Sequence, residues 1–98
     1  MNTVTAYTNE QLVTQLPEGW VVTDCGKMIT KTYANPSYAK ALAFVQAIGE
    51  YAESVDHHPE VHLTWPETTV TWWTHTANGV TQKDLDAAVK VNELFANL

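Results

Sequence analysis

One stretch constrains the chain more than any other: "NPSYAKALAFVQAIGEYAESVDHHPEVHLTW", residues 35–65. Ala41, Leu42, Val45, Ile48, Gly49 and Ala52 recur at helical spacing and define one apolar face. Asn35 is placed to cap this helix, and Pro36 suits a first helical position. The helix must end near Val55 to Asp56, because Pro59 disfavours helical geometry at the residue before it, His58. Strand-like alternation follows at once in "EVHLTW", with Val61, Leu63 and Trp65 on one side and His62 and Thr64 on the other. A helix therefore turns a corner into a strand, and two adjacent histidines stand in that corner.

The remaining elements follow from similar signals. "TNEQLVTQLPEGW" reads as a short helix with Thr8 and Gln11 as a capping box and Pro17 with Gly19 as its stop. "WVVTDCGKMITKTY" reads as a hairpin turning at Cys25-Gly26. In "TTVTWWTH", Val70, Trp72 and Thr74 share one face, and Thr71, Trp73 and His75 share the other. Pro66-Glu67 between the two runs suggests a second hairpin. "ANG" is a turn, and Thr81 opens a last helix with Asp84 at the third position of a capping-box-like pattern. Leu85, Ala88, Val89 and Phe95 give that helix an apolar stripe suited to a core or an interface. The order is αββαββα. It predicts an α+β fold, with helices on one face of a four-stranded antiparallel sheet.

With 98 residues the chain is sized for a single domain, residues 1–98. Hydrophobic residues are 45% of it, enough for a core, and its small size makes a homo-oligomer a natural expectation. A net charge of −6 with five Lys and Arg argues against nucleic acid and anionic membranes as partners. Cys25 is alone, so neither an internal disulfide nor a cysteine zinc site forms. The first residues lack a basic region and an apolar run, and no apolar stretch approaches a membrane span, so a cytoplasmic protein is expected.

His57 and His58 admit several chemistries. As surface residues they would complement a helix C-terminus. With His62 and His75 they would offer a metal four imidazoles, but adjacent side chains rarely converge on one ion, and no metal is expected. No nucleophile elbow and no glycine-rich phosphate loop is present. What remains is acid–base catalysis, since imidazole accepts and imidazolium donates a proton near neutral pH. Glu53 and Asp56 stand close enough in sequence to orient an imidazole.

Taken together, Glu53, His57-His58-Pro59, Trp65, the "TH" pair ending in His75, and Asp84 resemble the signature of the pterin-4a-carbinolamine dehydratases. "LPEGW" is similar to an N-terminal block of the same family, so the resemblance runs from about Leu12 to Leu94. It implies dehydration of 4a-hydroxytetrahydropterin to quinonoid dihydropterin, in recycling the cofactor of aromatic amino acid hydroxylases. It implies no cofactor, the pterin being substrate, and a homodimer or homotetramer, with an aromatic amino acid hydroxylase as a functional partner. It further implies His57 and His75 as the acid–base pair and His58 as a third catalytic-site histidine that positions substrate. Glu53 and Asp56 would tune or orient, Thr74 would hydrogen-bond the pterin, and Asp84 would support the site. Trp65 fits the site or the core. The chain departs from the family at Asn35, where many relatives have an aromatic, and at Thr76, where many have an acid. His62 has no family role and reads as exposed. Two alternatives share the fold: a non-enzymatic protein-interaction and dimerisation module, and activity on a molybdopterin-related substrate.

Overall fold

Two antiparallel hairpins make the sheet of the computed structural model, which describes residues 5–98. The first joins β1 (Val21–Thr23) to β2 (Met28–Ala34), and the second joins β3 (Glu60–Leu63) to β4 (Glu67–Trp72). The strand order is β1-β2-β4-β3, so the later strands of the two hairpins lie side by side at the centre. The helices are α1 (Asn9–Val13), α2 (Tyr38–Val55) and α3 (Gln82–Ala96). The expected αββαββα order and the open four-stranded sheet are thus both present.

The first turn needs unusual backbone. Asp24, Cys25 and Gly26 all have positive φ, and a Cβ on Gly26 would lie 2.5 Å from Asn9 Oδ1. Glycine fits there both for its dihedral and for the close approach.

Alternation sorts the sheet into two faces. Ile29, Tyr33, Thr68, Val70 and Trp72 are buried on the side that meets the helices. α2 adds Phe44, Ile48 and Ala52 to this core, and α3 adds Leu85, Ala88 and Val91. The rings of Tyr33, Phe44 and Phe95 meet pairwise, with centroids 5.0, 4.7 and 5.2 Å apart. Full burial of a ring such as Phe44 contributes about 1.5–3 kcal/mol, and Phe44→Ala would cost about 3–5 kcal/mol through the cavity it leaves. The other face carries hydroxyls bonded across the strands: Thr30 to Thr71 at 3.0 Å and Thr32 to Thr69 at 2.9 Å.

Four expectations need correction. Asn35 does not cap α2. The cap is Ser37, whose Oγ accepts from Lys40 N at 3.1 Å. The Asn35 side chain instead donates to the Thr64 and Trp65 carbonyls and accepts from Thr68, tying the tip of the second hairpin to the end of β2. Those hairpin carbonyls come from distant sequence, so a local capping rule does not see them. Second, the buried face of α2 is Ala41, Phe44, Ile48 and Ala52, while Leu42 and Gly49 lie on its exposed side. Two apolar stripes run side by side on this helix, and only packing decides which is covered. Third, Pro36 stands before the Ser37 cap and not at the first helical position, which is Tyr38. Fourth, Val89 on α3 is exposed, and Ala87 and Val91 take part in the core.

Candidate active site

The corner between α2 and β3 is built by one left-handed residue. Asp56 caps α2 with φ 53° and ψ 45°, and the amides of Asp56 and His57 both donate to the Ala52 carbonyl. This closes the helix in the way a C-terminal glycine often does, and Pro59 prevents another turn. The consequence is that the two histidines part. His57 turns inward and its side chain is 12% exposed, whereas His58 turns outward at 55%.

His57 is held on two sides. Its Nε2 lies 2.6 Å from Asp84 Oδ1, and its ring stacks on the buried Trp72 indole, with centroids 5.3 Å apart and planes 25° from parallel. Asp84 is fully buried at the third position of α3. Its Oδ2 accepts from Thr81 N at 2.9 Å, the return arm of a capping box, and from the Thr74 hydroxyl at 2.8 Å. The Thr74 and Thr81 hydroxyls are 2.8 Å apart. Thr74 spends its one proton on Asp84, so Thr81 donates to Thr74, and the chain of hydrogen bonds closes.

This arrangement fixes the tautomer of His57. A carboxylate only accepts, so the nitrogen facing it, Nε2, bears a proton. In neutral imidazole the lone pair then sits on Nδ1, which has no hydrogen-bond partner among the described residues. His57 is thereby set up as a proton acceptor at Nδ1, with a carboxylate behind its ring.

His58 pairs with Glu53 through Nε2 and Oε2 on the surface, one turn back along α2. His75 is not on a strand extension. β4 ends at Trp72, Thr74 bridges to Gly79, and His75–Ala77 form a short 3-10 turn closed by left-handed Asn78. The turn keeps Thr74 buried but swings His75 to the surface, where its ring lies 4.9 Å from that of Trp73.

A cavity of about 300 Å³ is lined by Asp56, His57, His58, Trp73, Thr74, His75, Thr76 and Lys83. The structure thus brings all three candidate histidines, Asp56 and Thr74 to one wall system, with Asp84 behind His57 and Glu53 behind His58. Trp65 is not among them and is not core either. It is 68% exposed at the tip of the second hairpin, beside the opposite end of β4. His62 is exposed, as expected, with Glu60 3.5 Å away.

Two contributors escape sequence reasoning. Lys83 lines this cavity and also a neighbouring one of about 270 Å³ with Tyr51, Val55, His57 and Asp86. Its only signal is its place in the first turn of α3 beside Asp84. Trp73 has a clearer signal, since strand alternation already sets it on the side of His75.

The family model described as pterin 4 alpha carbinolamine dehydratase matches residues 3–94. A protein of Chlorobium luteolum, provisionally named a pterin-4-alpha-carbinolamine dehydratase, is 34% identical over 91 residues, covering 92% of this chain and 80% of that one. A protein of Roseiflexus sp. with the same provisional name is 41% identical over 77 residues, covering 79% and 81%. Among solved structures, a transcriptional coactivator/pterin dehydratase from Brucella melitensis superposes with a TM-score of 0.83 at 31% identity, covering 92% of this chain and 98% of that one. A pterin dehydratase-like protein described as a RuBisCO assembly factor of the alpha-carboxysome shares the fold, with a TM-score of 0.69 at 23% identity over 80% and 90%. This chain belongs to the pterin 4 alpha carbinolamine dehydratase family.

Proposed function

We propose that the protein dehydrates 4a-hydroxytetrahydropterin to quinonoid dihydropterin and water. The elimination breaks the C4a–O bond, removes the N5 proton and forms the C4a=N5 bond. His57 Nδ1 takes the N5 proton, and protonated His75 across the cavity delivers a proton to the departing oxygen. Solvent then returns each ring to its starting state. Asp56 offers a carboxylate to the N–H-rich edge of the pterin, and Lys83 an ammonium to one of its oxygens. His58, held by Glu53, orients the substrate at the rim.

The single observation carrying this reading is the buried Asp84 carboxylate bonded to His57 at the wall of a three-histidine cavity. Each well-placed general acid or base is worth roughly 10²–10⁴ in rate. The test is stopped-flow absorbance with 4a-hydroxytetrahydropterin generated in situ. Acceleration in the wild type that disappears in His57→Ala and His75→Ala supports the reading, and wild type at the uncatalysed rate overturns it. By resemblance we place the reaction in tetrahydropterin recycling in the cytoplasm, carried out by a homodimer or homotetramer.

A second reading is a protein-interaction role. It is favoured by the coactivator description of the Brucella melitensis protein and by Tyr38 and Leu42, which α2 leaves 49% and 53% exposed. A stoichiometric protein complex formed by a chain without turnover would put this reading first.

A further inference from the structure

We propose that Trp72 is a positioning residue that fixes the plane of the His57 ring, and with it the direction of the proton-accepting nitrogen. This rests on the reading of His57 as proton acceptor.

The argument begins with what the Asp84 hydrogen bond leaves undone. One bond, Nε2 to Oδ1 at 2.6 Å, fixes a point on the ring and a line through it. The imidazole can still swivel about that line, and Nδ1, on the far side of the ring, then sweeps an arc. A flat surface against the ring face removes the swivel. Trp72 supplies it, stacked 25° from parallel, and is itself held by Tyr51, whose ring meets the indole edge-on at 6.3 Å and 78°. Point and plane together define one ring orientation.

Core filling alone does not account for an indole at this position. Trp72 is fully buried opposite Ile29, and its Nε1 is the one buried side-chain nitrogen or oxygen without a hydrogen-bond partner among the described residues. An aliphatic residue would fill the same layer without burying an unpartnered N–H, which is costly. The indole stands at the place where its face meets His57. Trp73, the first residue past β4, lines the cavity with its ring 4.9 Å from that of His75.

The test compares Trp72→Phe, which keeps a flat ring, with Trp72→Leu, which keeps apolar bulk without a plane. Trp72→Met replaces the leucine variant if that one does not fold. Each is measured by stopped-flow turnover and by NMR of the His57 ring. The expected result is a fall in kcat of about tenfold or more for leucine, corresponding to about 1.4 kcal/mol. KM would stay within about twofold, and phenylalanine would recover most of the loss. The His57 ring protons should carry the indole's ring-current shift in the wild type, and the Nε2 proton should exchange slowly. The leucine variant should exchange that proton faster. Equal kcat in the flat and non-planar variants, or a change in KM alone, overturns the proposal. If the wild type shows no turnover, the dehydratase reading fails separately, and an unchanged His57 Nε2 exchange rate in the leucine variant still overturns the positioning role.

Discussion

Helix α3 carries two polar hubs two turns apart, and they do opposite things. At Asn92 the side-chain oxygen accepts from Trp20 Nε1 at 3.1 Å, Lys31 Nζ at 3.0 Å and the Tyr33 hydroxyl at 2.5 Å, while its amide donates to the Glu18 carbonyl. At Asp84 the carboxylate accepts from His57, Thr74 and Thr81. Each hub gathers three donors, and each lies by a cavity. The Asn92 cavity, at about 350 Å³, is larger than the histidine cavity at about 300 Å³. Size therefore does not mark the site; the donors do. Those at Asn92 keep their protons near neutral pH, so that hub fastens the first hairpin and its approach to α3. One donor at Asp84 is an imidazole, which keeps its Nε2 proton on the carboxylate and leaves Nδ1 as an acceptor. The same bonding pattern is a rivet in one place and the backing of a proton acceptor in the other.

The comparison breaks most visibly at Asp84. Asp84→Asn puts an amide where three donors converge, so its NH2 must face one of them, and it removes the charge behind His57. Turnover should fall by roughly 10²–10⁴, with a stability cost of about 1–3 kcal/mol. Stopped-flow rates alongside denaturant melts check both. Asn92→Ala should reverse the pattern. Unfolding free energy drops by about 2–3 kcal/mol because buried donors lose their acceptor, while activity per folded molecule stays at wild type. Equal losses of activity from the two substitutions would erase the distinction.

Tyr33 sharpens it at high pH. Burial pushes the Tyr33 hydroxyl well above the ordinary tyrosine range, and burial followed by Asp86 raises Tyr51. The folded state keeps these protons where the unfolded chain gives them up. Their contribution is therefore complete below about pH 10 and is lost as pH rises from there toward the folded values. Tyr33→Phe should cost about 1 kcal/mol near neutrality and flatten that alkaline decline, as read from urea midpoints at about pH 9 and about pH 11. The smallest effect belongs to the surface pair of His58 and Glu53, whose side chains are 55% and 78% exposed. Glu53→Gln should change stability by under about 1 kcal/mol in urea melts, with turnover lowered only a few-fold.

Much of this was legible before any coordinates. Pro59 dates the end of α2, the two alternating runs give the second hairpin, and Asp84 stands where a capping carboxylate belongs. What sequence does not reveal is which of two uses a residue serves when both are local possibilities. Asn35 has the chemistry of a cap and is spent on the hairpin tip. Leu42 and Phe44 each lie on an apolar stripe of α2, and the sheet covers only one. His75 continues a strand pattern that the bridge from Thr74 to Gly79 interrupts. Lys83 is an ordinary first-turn lysine until folding sets it between two cavities. In each case the deciding contact comes from far along the chain.

The left-handed turn at Asp56 sends His57 inward and His58 outward, so it acts as a parity setting on the loop. Adding one residue between Val55 and His57 would keep both imidazoles yet exchange their places, facing the wrong ring toward Asp84. Loop length here is under the same constraint as residue identity. Recombination or grafting at this corner will conserve chemistry only when it conserves the count.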